Sequence, residues 1–175
     1  MTAPIAWGGT HVGQFPNTSF GISANPFGVV RLLAAGININ ANVTNTDYQL
    51  VLGAVANFSG ATGTPVVYTN QVYTSNWIAG STYQINQISY NNASTSLTAA
   101  TGGVFTATGA GGVTIVSDAA LSGLTATTNG TLLIPSLATN AQKNVYTGTN
   151  LYFRIGTSQS AAATLDVYIW GVVYP

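Results

Sequence analysis

Apolar and polar side chains alternate along most of this 175-residue chain. Ile37, Ile39, Ala41 and Val43 are separated by Asn38, Asn40 and Asn42, the period-two pattern of a strand with one buried and one polar face. Tyr48, Leu50, Leu52, Ala54, Ala56 and Phe58 continue the period. Asn45-Thr46-Asp47 lies between the two runs and has turn composition, so residues 37–58 predict a hairpin. Further strands are predicted over 65–74, 83–90, 103–108, 113–117, 131–137, 150–156 and 164–174. Within 83–90 the phase slips, Tyr83 and Ile85 being followed by Ile88 and Tyr90, which predicts a β-bulge near Gln87. The breaks are rich in turn formers, among them Asn91-Asn92, Gly109-Ala110-Gly111-Gly112 and Asn129-Gly130. About nine short strands at this spacing predict an all-β sandwich or barrel. Helix is scarce. Residues 26–35 suit a helix opened by Asn25 and Pro26 and stopped by Gly36, but Phe27-Gly28-Val29-Val30 suits a strand equally. A short helical turn is predicted over 118–124, opened by Ser117-Asp118.

The run 164–174 breaks the one-face rule. Leu165, Val167, Ile169 and Val173 form one apolar face, and Tyr168, Trp170, Val172 and Tyr174 form the other. A strand apolar on both faces reads as central in its sheet. Its outer Tyr168, Trp170 and Tyr174 then meet another subunit, as aromatics at interface cores do, or are covered by the chain's own loops.

Charge changes the picture most. Hydrophobic residues make up 46% of the chain, enough to build a core, while charged residues are 3%, against about 25% in an ordinary soluble domain. The whole set is Arg31, Lys143, Arg154, Asp47, Asp118 and Asp166. A free monomer uses charge to stay dispersed, so a surface built from Thr, Asn, Ser and Gln suits a subunit of an assembly. Without clustered Lys and Arg, neither nucleic acid nor an anionic membrane surface is an expected partner. No apolar run approaches the roughly 20 residues of a membrane span, and the N-terminal Met-Thr-Ala-Pro-Ile-Ala-Trp lacks the basic and apolar regions of a secretory signal.

Candidate chemistry is thin. One His, three Asp, no Glu and no Cys leave no expected catalytic, cofactor or metal site. A carboxylate pair would need two of the three Asp to meet, whereas Asp47 and Asp118 sit in turn-like contexts where Asp caps backbone. His11 lies among glycines, and no Ser occupies a Gly-x-Ser-x-Gly elbow. Gly109–Gly112 precedes the strand-like Val113-Thr114-Ile115-Val116, so it reads as a turn and not a phosphate loop. Arg154 and Asp166 lie in the last two strand runs. They predict a structural cross-strand ion pair if those strands form a hairpin. If the strands belong to different sheets, each charge takes another partner.

The first 25 residues differ from the rest. Gly8, Gly9, Gly13, Gly21 and Pro4, Pro16 alternate with Trp7, Phe15 and Phe20. Such a segment cannot form a core alone. Residues 1–25 read as an extended N-terminal arm that docks its aromatics on a partner, or wraps around its own domain, residues 26–175.

One further pattern bears on function. Ser96-Leu97-Thr98-Ala99-Ala100-Thr101-Gly102-Gly103-Val104-Phe105, then Asn150-Leu151-Tyr152-Phe153-Arg154-Ile155-Gly156-Thr157, then Ala161-Ala162-Ala163-Thr164-Leu165-Asp166-Val167-Tyr168 resemble a module of small structural proteins of tailed phages. The likeness spans residues 83–175 and brings no catalytic residues. It implies a jelly-roll-like antiparallel β-sandwich carrying the N-terminal arm. It also implies a capsid decoration (cement) role on the outer surface of the virion, with the major capsid protein and copies of the chain itself, as a homotrimer, for partners. A phage fibre or carbohydrate-binding receptor-recognition module is the alternative, and a surface-layer or filament subunit a third.

Overall fold

The computed structural model of the chain describes residues 30–57, 66–68, 82–126 and 132–174. Among these residues there are nine strands and no helix: β1 (Arg31–Asn40), β2 (Thr46–Val51), β3 (Ala54–Asn57), β4 (Val66–Tyr68), β5 (Thr82–Asn91), β6 (Thr101–Ala107), β7 (Gly111–Ala120), β8 (Asn150–Thr157) and β9 (Thr164–Tyr174). They form a β-sandwich. One sheet has the order β4-β3-β1-β9-β5 and the other β2-β8-β6-β7.

The predicted hairpin over 37–58 does not form. β1 pairs with β3 and β9, whereas β2 crosses to the opposite sheet and pairs with β8. The alternation had the right face for Ile39, Ala41, Tyr48, Leu50 and Leu52, which lie in the core, but not for Ile37, which is half-buried outside it where the register of β1 shifts between Gly36 and Ile39. What it could not give was the partner. With β2 acting as a crossover, β1 and β3 meet in parallel; every other pairing between strands is antiparallel.

The core lies between the sheets. Leu33, Ile39, Ile85, Ile88, Leu165, Val167 and Ile169 come from one side, and Leu50, Val104, Ile115, Leu151, Phe153 and Ile155 from the other. Tyr90 and Phe153 meet edge to face across it, with centroids 5.4 Å apart. The slipped phase of β5 is a register shift between Ile85 and Gln87, where Ile85 faces Gly171 and Gln87 faces Trp170. The β5 backbone crowds β9 at this shift: a Cβ on Gly171 would lie 2.0 Å from the Gln84 carbonyl oxygen.

Residues 31–35 are strand, not helix, and residues 26–29 lie outside the described residues. The proposed helical turn over 118–124 is also corrected. β7 runs on to Ala120, and only a tight turn from Leu121 to Leu124 follows. Of the strand predicted over 131–137, the described residues 132–137 do not make a regular strand. Leu133 alone bridges Tyr90, through reciprocal backbone bonds of 2.8 and 2.9 Å. Further on, Tyr146 bridges Tyr83 and stacks on its ring at 5.6 Å. Between these two points the connection bows away from β5, and the Ala138 N–H donates to the Ile115 carbonyl on β7. Residues 132–146 therefore form a strap that ties the β5 edge of one sheet to the β7 edge of the other, and it covers backbone that would otherwise invite another strand.

Candidate functional site

β9 is central, held between β1 and β5. Leu165, Val167, Ile169 and Val173 face the core, so Tyr168, Trp170, Val172 and Tyr174 line the opposite, outward face of the five-stranded sheet. Tyr168 lies between Ala35 and Ser89, Trp170 between Leu32 and Gln87, and Tyr174 opposite Thr82. The three aromatic residues are half-buried. Two have their polar ends held within the chain. The Tyr168 hydroxyl donates to Asp166 Oδ2 at 3.3 Å and the Tyr174 hydroxyl meets Gln84 Oε1 at 2.6 Å. Burial, with the Asp166 charge adding, pushes the Tyr168 phenol up to about 12, so it stays protonated and serves as a donor. The outcome is a row of three aromatic side chains, two of them held at their hydroxyls, beside Gln84, Gln87 and Ser89. Trp7, Phe15 and Phe20, the aromatics of the expected arm, lie outside the described residues.

The expected Arg154–Asp166 pair is not made. β8 and β9 belong to different sheets, so the two side chains cannot meet across a ladder. Asp166 is almost fully buried and accepts from the Asn38 N–H at 2.8 Å and from Asn92 Nδ2 at 2.7 Å, besides Tyr168. Asn38 and Asn92 both have positive φ, 57° and 50°, so this carboxylate fastens two irregular backbone points to β9. Asp166 is a structural clamp under the aromatic row.

Arg154 finds its partners on the outward face of the other sheet. Asp47 is its register neighbour on β2, with Nη1 4.0 Å from Oδ1. On the other side Gly103 of β6 faces Arg154. Gly103 has no side chain, so the guanidinium reaches past it to Asp118 on β7, with Nε 3.3 Å from Oδ2. Gly103 and Gly156 are both required for this: a Cβ on either would lie 2.8 Å from an Asp118 carboxylate oxygen. Arg154 Nη2 also donates to Asn45 Oδ1 at 2.5 Å. Asp47 Oδ2 in turn accepts from Gly109 N–H at 2.8 Å, which anchors the β6–β7 turn. That turn is residues 108–110, and Gly111 and Gly112 already belong to β7; Gly109, Ala110 and Gly112 have left-handed backbone, and the segment joins two antiparallel strands. Burial raises the Asp118 carboxyl above its ordinary value further than Arg154 lowers it, and Asp47 adds to the rise.

The row Asp47–Arg154–Asp118 thus gathers three of the chain's six charges onto one sheet. Asp118 is within a strand, contrary to its turn-like sequence context. The sequence signal for the row was the glycines inside two strands, which mark close approach by something else. The guanidinium spans the two carboxylates and offsets one of their two charges, so the arrangement staples β2, β8 and β7 together. No cluster of three His, Cys, Asp or Glu side chains occurs among the described residues.

Comparison with known protein families, curated proteins and solved structures finds no match to this chain. Its functional reading therefore rests on its own residues.

Proposed function

We propose that the chain is a virion structural protein, a decoration (cement) subunit that assembles as a homotrimer on the outer surface of a phage head and contacts the major capsid protein. The observation that carries this is β9, which presents Tyr168, Trp170, Val172 and Tyr174 on the sheet face turned away from the core, in a chain with 3% charged residues. Aromatic rings on a surface with so few charges favour permanent burial against a like surface. A threefold arrangement suits capsid lattices, which offer threefold sites to such subunits.

The strand order supports a jelly-roll topology. In a jelly roll of eight strands, one sheet runs first, eighth, third, sixth, and the other second, seventh, fourth, fifth. Taking β1, β2, β5, β6, β7, the strap, β8 and β9 in chain order, the first series is β1-β9-β5-strap and the second β2-β8-β6-β7. β3 and β4 are then an insertion on the free edge of β1. Residues 1–25 complete the reading as an extended arm whose Trp7, Phe15 and Phe20 dock on the particle. The fold by itself does not set the role.

Native mass spectrometry of the purified chain, and of intact particles from its source lysate, tests the proposal. A trimer in solution and a copy number per particle matching the threefold or quasi-threefold sites are expected. A stable monomer at micromolar concentration that is missing from particles refutes it. Gln84, Gln87 and Ser89 beside the rings also suit the second reading, a fibre or carbohydrate-binding module, because sugars stack on rings and bond to such amides. Glycan-array binding by a monomer would select it.

A further inference from the structure

Beyond the aromatic row, the strap leaves two openings on the sandwich edge. One, of about 550 Å³, is the gap where the strap bows away from β5, and its wall mixes Ile88, Ile134 and Leu137 with Asn86, Gln87 and Gln142. The other, of about 600 Å³, lies between β7 and the strap and reaches Tyr90. Its size is within the range of small-molecule sites, about 300–1,000 Å³.

Two observations set the second opening apart. Ala119 and Ala120 line it on the sheet side, so the space that larger side chains would fill there stays open. Tyr90 in its wall is 0% exposed, yet its hydroxyl has no hydrogen-bond partner. A buried polar group without a partner is rare and costly, and it points to a function for the site. Val116, Leu121, Leu133 and Leu137 make the wall apolar, and no Lys or Arg lines it. Burial, with the Asp118 charge adding, raises the Tyr90 pKa, so the hydroxyl stays protonated and available as a donor.

We infer that the cleft between β7 and residues 133–139 is a binding site for a neutral ligand with an apolar body and one hydrogen-bond acceptor, which receives the Tyr90 hydroxyl at its buried end. The ligand slides under the strap, its body against Leu133 and Leu137, its acceptor toward Tyr90. The site is separate from the outward face of β9 and does not depend on the assembly proposed above.

Acetophenone, an aromatic ketone, is a suitable probe, with toluene as its control lacking the acceptor. Both are titrated into the full chain and followed by the methyl resonances of Leu133 and Leu137. Acetophenone binds with shifts confined to those methyls and their neighbours around the cleft. Tyr90→Phe removes only a hydroxyl that bonds nothing in the free protein, so that variant melts no lower than the parent. It weakens acetophenone by about tenfold and leaves toluene unchanged. Ala119→Leu, at an exposed position on β7, fills the cleft and abolishes both. Absence of acetophenone binding, shifts elsewhere on the molecule, or equal affinity in the parent and Tyr90→Phe overturns the inference.

Discussion

Arg154→Ala tests the charge row on the four-stranded sheet. The substitution removes both ion pairs, at 3.3 and 4.0 Å, and the bond to Asn45. It also leaves Asp47 Oδ1, which is buried and has no hydrogen-bond partner, without its only nearby cation among the described residues. The side chains of Arg154 and Asp47 are 15% and 16% exposed, and that of Asp118 is 34% exposed. Removing one partner of a fully buried pair costs about 3–5 kcal/mol, and an exposed pair contributes about 0.2–1 kcal/mol. This row lies between those limits, so a loss of about 2 kcal/mol is expected. For a domain of this size that is a fall in melting temperature of about 4–8 °C, read by calorimetry or by circular dichroism. The penalty comes from stranded carboxylates and not from a missing attraction. The triple variant Asp47→Asn, Arg154→Met, Asp118→Asn should therefore recover to within about 1 kcal/mol of the parent. An Arg154→Ala protein that melts with the parent, or a neutral triple variant less stable than Arg154→Ala, refutes the reasoning.

The raised Asp118 carboxyl means that the folded chain holds this proton to higher pH than the unfolded chain does. The group therefore destabilises fully above its folded value, and the penalty is relieved as pH falls toward the ordinary value near 4. Parent minus Asp118→Asn melting temperature should rise on acidification, and a fall would contradict the sign. Gly171→Ala places a Cβ against the Gln84 carbonyl and should cost about 3 kcal/mol or more, seen as a lowered denaturant midpoint. Asp166→Ala strips the acceptor from the Asn38 N–H and from Asn92, for a loss of about 2–3 kcal/mol in the same assay, with Asp166→Asn recovering part of it. Trp170→Ser should dissociate the proposed trimer in sedimentation velocity while the folded subunit persists.

Strand positions were legible wherever the alternation was strong. β9 covers Thr164–Tyr174, the span its pattern predicted, and the bulge of β5 falls where the phase slips. Pairing was less legible, because periodicity assigns a face and says nothing about the neighbour. That is why Ile37–Phe58 read as a hairpin although β1 and β2 lie in opposite sheets. Leu132 and Ile134 misled in the other direction. They have the alternation of a strand, yet both are more than half exposed on the strap, and it is Leu133 between them that turns inward to Tyr90. The central place of β9 was readable from its two apolar faces. The partners of Arg154 were not, because they depend on Gly103 being bare on the strand between Arg154 and Asp118. Tyr90 was visible as a core position, but nothing local in sequence reveals that its hydroxyl ends unpaired.

The seat of β9 between β1 and β5 also governs how the chain can reach this fold. Asn38 and Asp166 bond across 128 positions of sequence, so the five-stranded sheet has high contact order and must close long loops before its central strand gives any return. During synthesis β1 and β5 emerge well before β9. Until it arrives, each offers a row of unpaired amides on the side β9 will fill, flanked by apolar residues meant for the core. Nascent chains are therefore sticky at a stage when few charges keep them apart, and folding is gated by a strand insertion on the timescale of milliseconds to seconds. Yield in recombinant expression should follow translation speed and chaperone supply more closely than the stability of the finished sandwich.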